Sequence, residues 1–159
     1  MSAYSRGTVV RSQILLRIVN GLLVRQGTVL LARRSLQRKS YPGLWSFPGG
    51  HVEEHETLLE ALARELREEI GVAPTKVVSL GSIRDPNSGP ADHVEYHMYV
   101  VPAWDGGEPH MVGDEHIELA WLTPQRAIAL DDLALNEYRA LLKMLPHAQT
   151  PDDTMPING

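Results

Sequence analysis

Three glutamates, Glu65, Glu68 and Glu69, fall at spacings of three and four residues within GGHVEEHETLLEALARELREEIGV, which runs from Gly49 to Val72. On an α-helix such spacings bring side chains to neighbouring positions on one face. Like charges placed that way repel. They also fall toward the C-terminal half of the segment, where the helix dipole disfavours anions. Local physics opposes the arrangement twice. Arg64 and Arg67 offset some of the charge if this is an ordinary solvated face. The other reading is that cations come from outside the chain. Clustered carboxylates are hard oxygen ligands of the kind Mg²⁺ or Mn²⁺ accepts. The glycine-rich loop ahead of them lets backbone carbonyls approach such an ion.

The elements that must hold these residues are legible. Thr57 followed by Glu60 forms a capping box that starts a helix. Gly71 ends it in a left-handed cap, and Pro74 blocks its continuation. Leu59, Leu62, Ala63, Leu66 and Ile70 form the stripe predicted to face a core. Upstream, QILLRIVNGLLV and RQGTVLLARR read as strands joined by a turn at Gln26-Gly27, and RKSYPGLWSFPGG reads as a loop. Downstream, KVVSLGSIRD, HVEYHMYVVPAW and HIELAWLTP read as strands. Thr123-Pro124 starts a helix, and LALNEYRALLKML is an amphipathic helix ended by Pro146. Strands with few, separated helices imply a mixed sheet with helices on its faces. The organisation expected is an arm over 1–11, one domain over 12–147 and a polar tail over 148–159.

Bulk properties exclude several function classes. The chain has 159 residues, 43% of them apolar, enough for one sizeable core. Its net charge is −5 and no basic patch is evident, which argues against a nucleic-acid polymer as partner. With no cysteine, disulfide frameworks and thiolate metal sites are excluded. No apolar run approaches the ~20 residues that span a bilayer, and no leader-like segment opens the chain, so a cytoplasmic, membrane-free protein is expected.

The spaced residues Gly50, Glu56, Arg64, Glu65, Leu66, Glu68, Glu69, Gly71 and Val72 fill the pattern G-x5-E-x7-R-E-U-x-E-E-x-G-U, with U aliphatic. In this the sequence resembles the Nudix hydrolases. One looser preference is unmet: His55 stands before the first glutamate of the pattern, where many members have glycine. The resemblance implies an α/β/α sandwich with a central mixed β-sheet and cleavage of a nucleoside diphosphate linked to another group. It implies Glu65, Glu68 and Glu69 as metal carboxylates, the Gly49 carbonyl as a further ligand, and Mg²⁺ as cofactor with Mn²⁺ as substitute. Gly50, Glu56, Arg64 and Gly71 would be structural, with Glu56 and Arg64 paired to hold loop against helix. The general base would be Glu69 or a carboxylate of a later loop; there Glu115, in the presumed loop before the last strand, is preferred to Glu118 as a further ligand or base.

Two stretches resemble the MutT-type, nucleotide-sanitising branch. YPGLWSFPGG is similar to its entry to the pattern, with Trp45 and Phe47 read as core packing. LALNEYRALL is similar to a segment carrying a purine-facing asparagine, here Asn136, which could equally be a helix cap. Of Arg33 and Arg34, one is expected to touch a phosphate. The activity implied is Mg²⁺-dependent hydrolysis of a nucleoside triphosphate, such as 8-oxo-dGTP, to monophosphate and pyrophosphate. ADP-ribose is the alternative substrate, and a non-catalytic ligand sensor the third reading. A monomer or homodimer is expected. His93, Glu95 and His97 alternate on one strand face and read as a polar face rather than a zinc site; His110 and His116 read as loop residues.

Overall fold

The computed structural model describes residues 14–89 and 92–145; the arm and tail expected at the two ends lie outside the described residues. Apolar β-branched runs give β1 (Ile14–Arg25) and β2 (Thr28–Arg34). They are joined by a tight turn with positive φ at both Gln26 and Gly27, which suits the twist of a two-residue hairpin. The loop before the helix contains two short strands, β3 (Trp45–Ser46) and β4 (Gly49–His51), where no regular structure is expected from its prolines and glycines. Then follow α1 (Leu58–Ile70), β5 (Ala73–Arg84), β6 (Asp92–Asp105), β7 (His116–Leu122), α2 (Pro124–Ile128) and α3 (Tyr138–Met144). Pro74 does not merely stop α1. It lies inside β5, which begins two residues after the helix cap.

The strands form one mixed sheet in the order β3-β2-β1-β6-β5, with β4 beside β1 and β7 beside β2. The long β1–β6 pair is parallel, in register from Ile14↔Asp92 to Leu23↔Val101. The other pairs are antiparallel. β1 and β2 pair only at their hairpin end, Val24↔Val29 and Arg25↔Thr28. Further along, β1 takes β4 as its neighbour and β2 takes β3. This exchange of neighbours matters for the site.

Alternation along β1 and β6 divides the core into two layers. Val19 and Leu23, with Tyr99 and Val101, pack under Ala61, Leu62, Leu66 and Ile70 of α1. Leu22, with Tyr96, Met98 and Val100, packs against Tyr138, Leu141 and Leu142 of α3. Gly21 admits α1 closely, since a Cβ there would lie 3.2 Å from Leu66 Cδ1. The expected stripe on α1 is rotated: Leu59 is exposed, and Ala61 is fully buried in its place. The expected helix over LALNEYRALLKML is shortened to α3. Its first residues are extended because Trp45 N–H donates to Asp132 O, Ala134 N–H donates to Trp45 O (both 2.8 Å), and Leu133 bridges Trp45. Pairing with an open strand edge outweighs helix propensity there.

Candidate active site

The capping box at Thr57 is formed: its side chain accepts from Glu60 N–H, and Glu60 accepts from Thr57 N–H. At the other end Gly71 adopts φ +72°, the left-handed conformation glycine tolerates best. Between these ends Arg64 is the organiser. Its Nε donates to Glu56 Oε2 at 2.6 Å, and Nη2 donates to Glu56 Oε1 and to the His51 carbonyl, both at 2.9 Å. The guanidinium pulls the Glu56 carboxyl down to about 2, and the Glu56 hydrogen bonds raise the Arg64 guanidinium in turn. The pair that the resemblance implies is formed, and it joins the loop to the helix. His55 occupies φ +71°, so the position where glycine was the expected residue does have the backbone that favours glycine.

The three glutamates all lie on α1 at the expected spacing, but their side chains differ in exposure and partners. Glu68 is 55% exposed at its side chain, Glu65 13% and Glu69 6%. Glu65 lies on Gly50, where a Cβ would stand 2.5 Å from its Cδ. Arg64 Nη1 donates to Glu65 Oε2 at 2.9 Å and to Glu68 Oε1 at 3.4 Å. Glu69 turns inward instead and accepts a hydrogen bond from Gly49 N–H at 3.0 Å. A guanidinium thus takes two of the carboxylates and a backbone donor the third.

Glu69 finds a second carboxyl there. Glu115 is its neighbour, close enough for the two carboxyls to act on one another. Burial first, then the contact with Glu115, pushes the Glu69 carboxyl far above the usual carboxylate range. The same contact holds Glu115 below that range. Arg38 pairs with Glu115 at 3.3 Å. His116 Nδ1 lies 4.0 Å from Glu69 Oε1; burial lowers its imidazole to about 4, so it is neutral. His116 is not a loop residue: it opens β7. Glu118, two residues on, faces Arg33 at 3.8 Å.

Gly49 also borders a cleft of about 460 Å³, counting its open mouth. The cleft lies where β1 and β2 change neighbours. Ile18 and Asn20 come from β1, Arg34 from β2, Ser46 from β3, and Gly49, Gly50 and His51 from β4. Tyr96, Tyr138, Tyr41 and Arg38 also line it. Of the two candidate arginines, Arg34 reaches the cleft. Arg33 faces elsewhere, donating to Gly43 O at 3.0 Å. Asn136 is exposed and neither lines the cleft nor caps α3; its Oδ1 accepts from Arg139 Nη1 at 2.8 Å. Trp45 and Phe47 are core residues, as expected. On β6, Glu95 pairs with His97 at 3.4 Å, and His93 contacts Arg84.

The NUDIX domain family matches residues 15–144. The chain belongs to this family. It is 36% identical over 114 residues to a CTP pyrophosphohydrolase of Escherichia coli, which covers 72% of this chain and 80% of that one. It is 34% identical over 90 residues to an 8-oxo-dGTP diphosphatase of Proteus vulgaris, covering 56% and 78%. A MutT NUDIX hydrolase from Burkholderia pseudomallei superposes with a TM-score of 0.72 at 27% identity, over 84% of this chain and 100% of that one. The chain is thus a Nudix hydrolase acting on nucleotide substrates.

Nudix hydrolases generally use divalent cations. Among the described residues, no three acidic or histidine side chains converge closely enough to hold a metal ion in this arrangement. The donor chemistry nevertheless suits one. Burial and the neighbouring Glu115 disfavour the charged form of Glu69, a penalty that a cation would offset. Glu65 and Glu68, with Glu53 and Glu56, all share the single guanidinium of Arg64. Several cleft residues have no local sequence signal, among them Arg38, Tyr41 and Tyr96. Asn20 has a faint one: a lone amide within the apolar run of β1.

Proposed function

We propose that this Nudix hydrolase cleaves nucleoside triphosphates in a Mg²⁺-dependent reaction, by water attack on an internal phosphorus, to a monophosphate and pyrophosphate. The observation that carries this is the Glu69–Glu115 pair, joined through Gly49 and Arg38 to a cleft that Arg34 and Arg38 line. Acidic donors for cations thus adjoin basic partners for phosphate.

Glu65, Glu68, Glu69 and Glu115, with the Gly49 carbonyl, would hold the cations. Bound cations supply charge neutralisation of the phosphates and lower the pKa of water. The chain's own residues do the rest. Arg34, whose Nε donates to Ser40 O at 2.8 Å, is fixed in place to face a phosphate oxygen. Glu115, whose carboxyl is held below the usual range by its contact with Glu69, would accept a proton from water. Phosphoryl transfer depends mainly on such positioning and charge. The relatives named CTP pyrophosphohydrolase and 8-oxo-dGTP diphosphatase support a triphosphate; a 32% identical relative named ADP-ribose pyrophosphatase makes ADP-ribose the second reading.

The test is a nucleotide panel with Mg²⁺ and identified products. Monophosphate and pyrophosphate from a triphosphate are expected. Orthophosphate with a diphosphate, or turnover of ADP-ribose alone, overturns the proposal. Full activity in Glu68→Gln and Glu69→Gln removes the cation assignment.

A further inference from the structure

Asp85 is buried just beyond the end of β5, outside the set of residues that line the cleft. Its backbone is held on both sides. Asp85 N–H donates to Val94 O at 2.8 Å, and Asp85 O accepts from Ser88 N–H at 3.1 Å and from Ser88 Oγ at 2.7 Å. Its carboxyl accepts from Asn87 N–H at 2.8 Å and from Tyr96 Oη at 3.2 Å. A third donor comes from a distant part of the chain. Tyr41 Oη donates to this carboxyl, at 2.8 Å from Oδ1 and 2.9 Å from Oδ2, and accepts from Asn87 Nδ2 at 3.1 Å.

Tyr41 belongs to the connection between β2 and β3, so these bonds tie that connection to the one between β5 and β6. Its backbone stands at φ +52°, a left-handed conformation that a bulky residue keeps only where its surroundings hold it. Ser40, the residue before it, takes Arg34: Nε donates to Ser40 O at 2.8 Å and Nη2 donates to Ser40 Oγ at 3.1 Å. The main chain of Arg34 is paired with the same connection, through Gly43 N–H to Arg34 O at 3.0 Å and Arg34 N–H to Leu44 O at 2.9 Å. Hydrogen bonds and one peptide link thus run without a break from Asp85, through Tyr41 and Ser40, to the arginine that lines the cleft.

We infer that Asp85 is a positioning residue: through the Tyr41 hydroxyl it fixes Ser40 where Ser40 holds the Arg34 guanidinium ready for a substrate phosphate. This rests on the phosphate contact proposed for Arg34. The physical reason is entropic. Arginine and an irregular connection both have many conformations, and freedom removed in the free protein is not lost again on binding.

Tyr41→Phe keeps the ring and deletes the tether; Asp85→Ala deletes its other end. Amide hydrogen exchange of the substrate-free protein tests the tether alone. The Arg38, Gly43 and Leu44 amides, all bonded within the β2–β3 region, should exchange roughly tenfold faster in both variants, while amides of β1 keep their rates. Kinetics then test the route to Arg34, on whichever nucleotide the substrate panel shows to be turned over. Arg34→Ala, Tyr41→Phe and Asp85→Ala should each raise KM by roughly fivefold or more with kcat within about twofold of wild type, since a phosphate contact serves bound substrate and transition state alike. Adding Tyr41→Phe or Asp85→Ala to Arg34→Ala should raise KM no further, because residues acting through one group are not additive.

Wild-type exchange or wild-type KM in Tyr41→Phe overturns the inference. So does full additivity with Arg34→Ala, which would mean that Tyr41 touches the ligand itself. If Asp85→Ala fails to fold, Tyr41→Phe decides. A wild-type KM in Arg34→Ala also overturns it, yet leaves the triphosphate reading intact as long as monophosphate and pyrophosphate are the products. Turnover of ADP-ribose alone removes the triphosphate reading, and the same cycle run on ADP-ribose still measures the tether.

Discussion

A carboxyl buried beside another carboxyl holds its proton strongly, and Glu69 is in that position. The folded protein keeps this proton at pH values where an unfolded chain, with an ordinary carboxyl near 4.5, has lost it. Without cations, the contribution of Glu69 to stability therefore falls as pH rises above about 4.5 toward its elevated folded value. Glu69→Gln removes the charge, so in EDTA this variant should melt higher than wild type at pH 8, with a flatter slope between pH 5 and 8. Thermal melts across that range check it, and parallel slopes would refute it. Gly50 makes a complementary case. Alanine there would place its Cβ 2.5 Å from the Glu65 carboxyl carbon, and the flexible end of Glu65 must move away. Gly50→Ala should fold with nearly unchanged Tm yet lose on the order of 10²-fold in kcat, the size of effect that a 1 Å misplacement can cause. A wild-type rate would show that the position of Glu65 is unimportant.

Helix α1 and the loop before it act as one unit through Arg64. Its fork touches Glu56, the His51 carbonyl and Glu65 together. A lysine keeps the charge but cannot span those partners. Arg64→Lys should lower both Tm and apparent Mg²⁺ affinity. Thr57→Ala removes only the helix cap and should cost about 1 kcal/mol of stability while leaving Mg²⁺ affinity unchanged. Melting curves with a Mg²⁺ titration compare the two. Equal affinity loss in both variants would mean that general loosening of the helix, rather than the clamp, sets cation binding.

At the scale of the whole molecule, cations binding the folded state alone must stabilise it. At a hundred times Kd the gain is about 2.7 kcal/mol. Because ionising the Glu69–Glu115 pair becomes easier as pH rises, the Mg²⁺-induced rise in Tm should be larger at pH 8 than at pH 6. A pH-independent shift, measured by scanning calorimetry, would place the cations away from that pair. The same scale sets the cleft. It exists because β1 and β2 part company after two residue pairs and recruit β4 and β3 separately.

From the sequence alone the capping box, the Gly71 cap and the Gln26-Gly27 turn could be read, each a local device whose residues lie within a few turns of one another, so spacing specifies it; the Glu56–Arg64 pair was legible only through the family resemblance. The α/β/α layering was legible too, because strand alternation and helix periodicity dictate which faces are buried. Where the partner lies far along the chain, spacing carries no information. Glu69 turns inward to Gly49 and Glu115, Arg34 rather than Arg33 reaches the cleft, and Leu133 pairs with Trp45 instead of continuing α3. His116 and Asn20 likewise acquire their surroundings only when β7 and β4 are laid beside their neighbours. Those outcomes depend on competition among hydrogen-bond donors and strand edges that meet only in the folded chain, and the tertiary structure alone decides them.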